Sequence, residues 1–420
     1  MGEDRPLFGK LFVSITLPGN PRAIAFSGIF HTGGTALWWP LFSIFLFSEG
    51  IGVLTIALVV AVGLGLGMVG APLGGILADR GKRKDVILLA SGSMLGGTAL
   101  ILIGLVANLP TLPSILVGFG LFSIGGTFGT GATRAILFES VSESQRGIAM
   151  SSPYVLPSLV SVPMPFIGSL IGQGYGWAWV FLIATLFLGI ALVIKWWYLR
   201  EPSPESPMRP SMDGHKTLRP KGWSILAPIL PIIGVYGLVS FGQQMYGPFL
   251  PLYFTRYLGA PVNFYGLLAS IELGMMGVLA FVSGKLVDRL GALRTATLSF
   301  AGEAVAVTVM VFVRNVLLAG GLYEVWGAIG MFDTVSPAVF IGASVGRERR
   351  AMTIGSFSVA TRLPGLAGPA LGGVLFEAFP PFILIVYSGI VAVACFGTWW
   401  TNRHFRHLAL QGTGKSSPSV

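Results

Sequence analysis

Ionisable side chains inside long apolar segments are the residues of this chain that could do chemistry. In the first half these are His31 and Arg134, and in the second half they are Glu272, Glu303, Glu324, Asp333 and Arg362. An ionisable group is costly in hydrocarbon, so each one suggests proton transfer or ligand binding. Their uneven distribution predicts that, if protons drive the process, the second half of the chain carries them.

The depth of each ionisable residue in the bilayer indicates which of them are the stronger candidates. Arg362 lies about 18 Å from the start of its segment, near the centre of a bilayer, and therefore needs a buried anionic partner. We expect Asp333 to be that partner, acting either as a proton site or as a purely structural counter-ion. Glu324 precedes it by nine residues (333 − 324) and so lies on the opposite side of the same helix. Glu272 is the second candidate for carrying a proton.

Other polar and aromatic side chains could contact a ligand. The His31 imidazole changes charge near physiological pH, which suits a switch, although a hydrogen-bonded packing role is the alternative. Gln243 and Gln244 could hydrogen-bond a ligand. Trp38, with its neighbour Trp39, is expected to anchor the chain at the membrane interface, with an aromatic cavity wall as the alternative.

Helices that cross a bilayer must position these residues. With 53% apolar and 10% charged residues and a mean hydropathy of +0.77, the 420-residue chain has too few polar side chains to cover a soluble core. A helix needs about 20 apolar residues to cross the hydrocarbon. Twelve segments meet this requirement, and we number them spans 1 to 12: 23–47, 51–77, 86–108, 111–138, 148–172, 177–198, 224–255, 263–287, 292–313, 316–340, 351–377 and 380–402.

Basic residues predict the topology of this all-α membrane protein. The net charge is +10, and most Lys and Arg lie in alternate connections, which marks those connections as cytoplasmic. Both termini, 1–22 and 403–420, are therefore expected in the cytoplasm, with the spans in the cell (inner or plasma) membrane. The same distribution argues against a nucleic-acid partner. The Pro- and Ser-rich segment 199–223 is predicted to link two six-helix bundles, 23–198 and 224–402.

Short motifs recur in the two halves. Gly75-x-x-x-Asp79-Arg80 follows span 2, and Gly284-x-x-x-Asp288-Arg289-x-Gly291 follows span 8, 209 residues later (284 − 75). Trp39-Pro40 in span 1 matches Gly247-Pro248 in span 7, 208 residues later (247 − 39). Met164-Pro165-x-x-Gly168 in span 5 matches Gly368-Pro369-x-x-Gly372-Gly373 in span 11. One six-helix unit written twice is typical of secondary transporters, which bind substrate between the halves near the bilayer centre.

These motifs resemble those of the major facilitator superfamily over essentially the whole chain. The resemblance implies two six-helix bundles, related by a pseudo-two-fold axis, that rock around a central cavity. Spans 1, 4, 7 and 10 would line the cavity and spans 3, 6, 9 and 12 would face lipid, so Glu303 in span 9 is expected to pack against a neighbouring helix. The Gly-Pro element resembles the drug–proton antiporter branch, whose usual span 4 arginine is missing here. In the first loop motif, either Lys82 replaces the second glycine of the family or one residue is deleted and Gly81 takes its place.

The loop motifs are predicted to form a cytoplasmic gate. A carboxylate at a helix N-terminus is stabilised by about 0.3–1 kcal/mol, so we infer that Asp79 caps span 11 and Asp288 caps span 5 when the cytoplasmic side is closed. Arg80 and Arg289 would pair with acids on facing loops, with Glu139 as one candidate. The alternative is that these loops serve topology alone.

Small residues and prolines are predicted at the interface between the bundles, where close contacts would slide, with static packing as the alternative. The residues concerned are Pro165, Gly168, Gly368, Pro369, Gly372 and Gly373, together with Gly63, Gly67, Gly70, Gly74 and Gly365.

The sequence therefore predicts a secondary transporter that works by alternating access. Export of lipophilic or amphipathic small molecules against protons is the leading interpretation, and symport or facilitated entry of a polar nutrient or organic anion is the alternative. No phosphate-binding loop or catalytic constellation appears in the sequence, so we expect no enzyme activity and no metal or other cofactor beyond a proton gradient. The expected partners are the lipid bilayer, protons and a small-molecule substrate, and the expected state is a monomer.

Overall fold

The computed structural model describes residues 17–142, 145–201, 229–334, 336–344 and 357–412. Within these ranges the regular secondary structure is helical, which confirms the predicted all-α class. Eight of the described helices are long and apolar enough to cross a membrane, and a pair bent by 43°, Ala149–Ser161 and Met164–Gly174, adds a ninth. Described helical segments lie in each of the twelve predicted spans, as expected for a twelve-helix membrane protein.

The first six spans contain both continuous and broken helices. Spans 2, 3 and 6 are continuous, and spans 1, 4 and 5 are divided. In order, the segments are Asn20–Ala36, Trp39–Leu41 and Phe42–Ser48 (span 1), Val53–Asp79 (span 2), Arg83–Val106 (span 3), Thr111–Phe128 and Thr130–Glu139 (span 4), Arg146–Ser151, Val155–Ser161 and Met164–Gly174 (span 5), and Trp177–Tyr198 (span 6).

The last six spans follow a similar plan. Spans 8, 9 and 12 are continuous where they are described, and span 7 is divided most often. In order, the segments are Leu230–Tyr246, Gly247–Phe249, Leu250–Leu252 and Tyr253–Tyr257 (span 7), Val262–Leu290 (span 8), Ala292–Phe312 (span 9), Val316–Thr334 and Ser336–Ser344 (span 10), Pro364–Ala367 and Gly368–Ala378 (span 11, helical from residue 357), and Phe382–Gly412 (span 12).

Spans 1 and 7 break at equivalent prolines. Pro40 lies in a 3₁₀ turn of span 1, and Pro248 lies in a 3₁₀ turn of span 7. Proline has no N–H to donate and its ring clashes with the preceding turn, so the regular helix is interrupted at both places. Span 7 continues into a π-helical segment, Tyr253–Tyr257, a geometry that often marks functional positions.

The two loop motifs share one backbone feature. Gly81 has a φ of 82° and Gly291 a φ of 87°, a left-handed region that side chains with a Cβ rarely adopt. Gly291 follows Asp288 by three residues, whereas Gly81 follows Asp79 by two. Of the two alternatives left by the sequence, the structure therefore supports the shorter turn in which Gly81 takes the place of the family's second glycine.

Contacts divide the chain into two units. Unit 1 comprises Met1–His215 and Ala260–Gly274, and unit 2 comprises Lys216–Gly259 and Met275–Val420. The long helix of span 8 therefore contributes its first half to unit 1 and its second half to unit 2. Within unit 1, Gly266 of this helix lies against Pro165 and Ser169 of span 5, and the Phe166 N–H donates to the Ser270 hydroxyl at 3.1 Å.

Glycines allow close helix contacts inside each unit. A Cβ on Gly168 would overlap the Leu37 carbonyl oxygen of span 1, and one on Gly372 would overlap the Met245 carbonyl oxygen of span 7. Gly368 lies against span 7 in the same way, and Pro369 and Gly373 are buried beside it. In span 2 the glycines Gly63, Gly67, Gly70 and Gly74 pack against span 4. The structure thus gives these glycines a packing role within one unit, and their role between bundles stays a prediction.

Candidate functional site

A buried carboxyl group of unit 2 is hydrogen-bonded to two aromatic side chains. Glu303 of span 9 is 3% exposed, and its Oε2 accepts hydrogen bonds from the Trp326 indole N–H (3.1 Å) and the Tyr387 hydroxyl (3.0 Å). The Tyr246 ring packs against both of these rings, at centroid distances of 4.8 Å and 4.4 Å. We call these four residues, from spans 7, 9, 10 and 12, the Glu303 cluster. The expectation that Glu303 packs against neighbouring helices is confirmed.

Helix periodicity explains why span 10 faces this carboxyl. Trp326 and Gly330 are four residues apart and therefore lie on one face of the helix. A Cβ on Gly330 would lie 3.6 Å from the Glu303 carboxyl carbon, an ordinary van der Waals distance, so this face of span 10 lies directly against the acid. One turn before Glu303, the Ser299 hydroxyl donates to the Ile329 carbonyl at 2.7 Å and joins spans 9 and 10.

Asp333 is a second buried acid of unit 2. It is 5% exposed and lies two helical turns after Trp326, on the same face of span 10. The Tyr236 hydroxyl of span 7 donates to the Asp333 backbone carbonyl at 3.2 Å. Glu303 and Asp333, and the carboxylate oxygens of Glu324 on span 10, are thus buried in the second half of the chain, where the sequence predicted the proton-carrying groups.

The predicted ion pair between Arg362 and Asp333 is wrong. The structure describes both residues and places no ion pair between them. Asp333 is buried inside unit 2, whereas the Arg362 side chain is exposed on span 11. Because the helix presents Arg362 at the surface of the unit, its guanidinium does not need a buried counter-ion.

The remaining ligand candidates have mixed environments. Gln243 is exposed, and Gln244 is half-buried, with its Cγ 3.1 Å from the position of a Cβ on Gly365. Glu272 and Glu324 are half-buried. His31 in unit 1 has a buried Nδ1 without a hydrogen-bond partner among the described residues. The roles of these five side chains stay predictions.

Unit 1 contains a matching group of three rings. The Trp38 ring packs against Phe122 of span 4 and Phe181 of span 6, at centroid distances of 4.7 Å and 5.3 Å. We call these residues the Trp38 cluster. Trp38 is 1% exposed, and its buried indole N–H has no hydrogen-bond partner in the described part of the chain. The expected anchoring at the membrane interface is therefore wrong for Trp38, because the ring fills the interior of its unit. Its neighbour Trp39 is 45% exposed.

Several residues with polar contacts in the structure are not signalled by the sequence. Lys195 stands inside span 6, where its ammonium group donates to the Ser91 hydroxyl at 2.8 Å. Its position only three residues before the end of the predicted span makes it resemble a flanking charge in the sequence. Trp326 and Tyr387 were missed because aromatic residues are common in apolar spans. Only their spacing from Phe122 and Phe181 in the first half could have signalled them.

The first loop motif forms different contacts from those predicted. Glu139 pairs with Arg83 and not with Arg80, because Arg83 lies in the first turn of span 3 and reaches the end of span 4. The Glu201 carboxylate accepts the backbone N–H groups of Arg83 (3.1 Å) and Lys84 (2.7 Å) and so caps span 3. Arg80 itself is exposed.

The latch formed by the two aspartates stays a prediction. Asp79, Asp288 and Arg289 are exposed, and Gly75 and Gly284 are half-buried. Asp79 is predicted to cap span 11, but the start of that span falls within residues 345–356, outside the described residues.

The repeated broken spans, the apolar helices and the buried acids of one unit define a membrane transporter built from two halves. The sequence profile of the Major Facilitator Superfamily matches residues 24–231 and 232–418, and the chain belongs to this family. It is therefore a transporter and not an enzyme, and it acts in a lipid bilayer on a small-molecule substrate.

Two members of the family and one solved structure are similar to the chain. It is 24% identical over 349 residues to the multidrug resistance protein MdtG of Yersinia enterocolitica, covering 80% of each chain. It is 27% identical over 280 residues to the multi-drug resistance efflux pump PmrA of Streptococcus pneumoniae, covering 64% of this chain and 67% of PmrA. The crystal structure of the nucleoside transporter NupG shares the fold, with a TM-score of 0.74 and 14% identity over 90% of this chain and 98% of NupG. These bacterial relatives are consistent with a location in the inner membrane.

Proposed function

We propose that this transporter exports lipophilic small molecules from the cytoplasm in exchange for protons. The observation that carries the proposal is the alignment with two proteins named for multidrug resistance or efflux, one of them over 80% of the chain. A proton gradient would be the driving force, with no bound cofactor. We further propose that the protein works as a monomer with both termini in the cytoplasm.

The chemistry of the two units supports this proposal. The Trp39 ring, which is 45% exposed and stacks on Phe122 of the Trp38 cluster, offers a flat, apolar surface that favours ligands that already partition into a membrane. The buried carboxyls of unit 2, Glu303 and Asp333, supply groups that can take up and release a proton. An antiporter needs both kinds of site, because proton and substrate occupy the protein in alternate halves of the cycle.

Proton symport of a polar solute is the second candidate. Gln243 and Arg362 are exposed side chains in the second half, and they could bind a polar or anionic ligand directly. The shared fold with a nucleoside transporter carries no weight here, since the identity is too low to indicate a substrate.

Everted membrane vesicles separate the two candidates. In energised vesicles, a lipophilic cation dye added outside should raise the lumenal pH, because an antiporter moves the dye inward and protons outward. Vesicles that lack the protein provide the control. In vesicles without an imposed gradient, acidification of the lumen on adding a nucleoside, sugar or organic acid would instead establish symport. A lumenal pH that responds to neither class would contradict proton coupling.

A further inference from the structure

We propose that Glu303 is the carboxyl that carries the proton and that Tyr246 links it to the ligand. This assignment rests on the proposed proton-coupled transport and names the group responsible. It differs from the sequence-based choice of Asp333, and it places the coupling residue on span 9, a helix that the family resemblance assigns to the lipid-facing side.

The first reason is the balance of charge around Glu303. Its Oε2 is held by two uncharged donors, Trp326 and Tyr387, and no Lys or Arg among the described residues forms an ion pair with it. A carboxylate held by neutral donors can gain a proton without leaving a cation unpaired in a low-dielectric interior. A carboxylate paired with an arginine would lose that freedom.

Other titratable groups face Glu303 from the helices packed around it. They are Asp333 from span 10, Tyr236 from span 7 and Tyr387 from span 12, and Tyr246 of span 7 packs against the Tyr387 ring. All of these are neutral or acidic. A negative charge on Asp333 would repel a second negative charge on Glu303. The two carboxyls are therefore more stable when at least one of them is protonated.

The second reason is that the hydrogen-bond donors are not needed for ring packing. Phe122 and Phe181 contact the Trp38 ring in unit 1 much as Trp326 and Tyr387 contact the Tyr246 ring in unit 2. In unit 1 these two positions carry no polar atom. The indole and phenol of unit 2 therefore serve the carboxyl that they bind.

The third reason is the position of Tyr246. It ends the first helix of span 7, directly before the break at Gly247–Phe249, and Gln243 and Gln244 precede it on the same segment. A ligand bound by these glutamines would move the end of this helix. The Tyr246 ring would then shift against both hydrogen-bond donors of Glu303 and change how well they stabilise its charged form.

Two assays on the same proteoliposomes test the assignment. Accumulation of a lipophilic cation dye under an imposed pH gradient requires proton coupling, whereas exchange of labelled for unlabelled dye at equal pH does not. Glu303→Gln should lower the gradient-driven rate about a hundredfold, a typical loss when a proton-transfer group is removed, and leave exchange nearly unchanged. Glu303→Asp should restore part of the gradient-driven rate. Glu377→Gln, at an exposed acid of the same unit, is the matched control and should behave as wild type.

A milder variant keeps the test valid if Glu303→Gln fails to fold. Tyr387→Phe preserves the ring and removes one donor to Glu303, so the pH profile of transport should move by about one pH unit towards alkaline pH. An unshifted profile would overturn the assignment, as would full gradient-driven transport or loss of exchange in a folded Glu303→Gln protein. Absence of gradient-driven accumulation in the wild type would overturn the proposed function itself, and the assignment with it.

Discussion

Each unit contains a group of three packed aromatic rings. In unit 1, the Trp38 ring packs against Phe122 and Phe181 at centroid distances of 4.7 Å and 5.3 Å. In unit 2, the Tyr246 ring packs against Trp326 and Tyr387 at centroid distances of 4.8 Å and 4.4 Å. Trp38 and Tyr246 are 208 residues apart (246 − 38), the same spacing as the two proline breaks that follow them. Each trio comes from the first, fourth and sixth helix of its half.

The difference between the trios lies in their polar atoms. In unit 2, Trp326 and Tyr387 each donate a hydrogen bond to Glu303. In unit 1, the Trp38 indole N–H has no partner among the described residues. The repeat thus preserves the packing of rings, which any large aromatic residue can supply. The polar atoms, in contrast, differ between the halves. We therefore expect substitutions in the shared ring and glycine packing to affect folding. Substitutions of the polar atoms of unit 2 should instead affect the coupling of transport to protons.

Breaking the packing that both halves share should have the largest effect. Gly372→Leu and Gly168→Leu each force a side chain into a carbonyl oxygen of the neighbouring helix, at a cost of about 3 kcal/mol, the upper end of the usual range for overpacking. Both variants should lose most folded protein, as measured by the yield of monodisperse protein and by thermal melting in detergent. Gly389→Leu is the matched control, because nothing lies within 4 Å of a Cβ there. Normal melting of Gly372→Leu would contradict the close approach of spans 7 and 11.

Removing the second acid of unit 2 should have an intermediate effect that sharpens the comparison. Asp333→Asn takes a negative charge away from the surroundings of Glu303, so Glu303 should ionise more readily. Transport should stay proton-driven, with a pH profile moved towards acid pH and a rate lowered no more than about tenfold. Gradient-driven transport measured from pH 5 to 9 checks this. Complete loss of coupling in a folded Asp333→Asn protein would instead assign the proton to Asp333.

Altering the polar atom of unit 1 should have the smallest effect. Trp38→Phe removes a buried N–H that has no partner among the described residues, which gains stability, and it leaves a small cavity, which loses stability. The two effects are each about 1–3 kcal/mol and oppose one another, so the melting temperature should change little. The ratio of protons to ligand transported should equal that of the wild type. A changed ratio would show that unit 1 also takes part in coupling.

Much of the fold followed from the sequence because bilayer physics is restrictive. A span must be a long apolar helix, because its backbone groups find no water to bond inside the bilayer. A charged residue inside a span is costly and therefore suggests a function. The helices and the acid-rich half of the chain could both be predicted on these grounds. Pro40 and Pro248 were recognised as a match between the two halves, but the helix breaks at these prolines were not predicted. The burial of Glu303 between helices was also predicted.

The partners of individual side chains were harder to predict. The sequence gives the depth of Arg362 but not the direction in which its helix faces, and a wrong facing produced the wrong ion pair with Asp333. Arg83 and Arg80 stand three residues apart in one basic run, so sequence alone could not decide which of them reaches Glu139. Trp326 and Tyr387 appear as ordinary apolar residues until their donors are seen to meet on one carboxyl oxygen.

Proton release on ligand binding tests most directly whether the second half carries the proton. Purified protein in weakly buffered detergent solution would be mixed with a lipophilic cation dye, and a pH indicator would record the protons released as the ligand binds. The wild type should release protons, and Glu303→Gln should bind the dye with similar affinity and release none. Equal release from the two proteins, or no release from a wild type that binds the dye, would contradict the account.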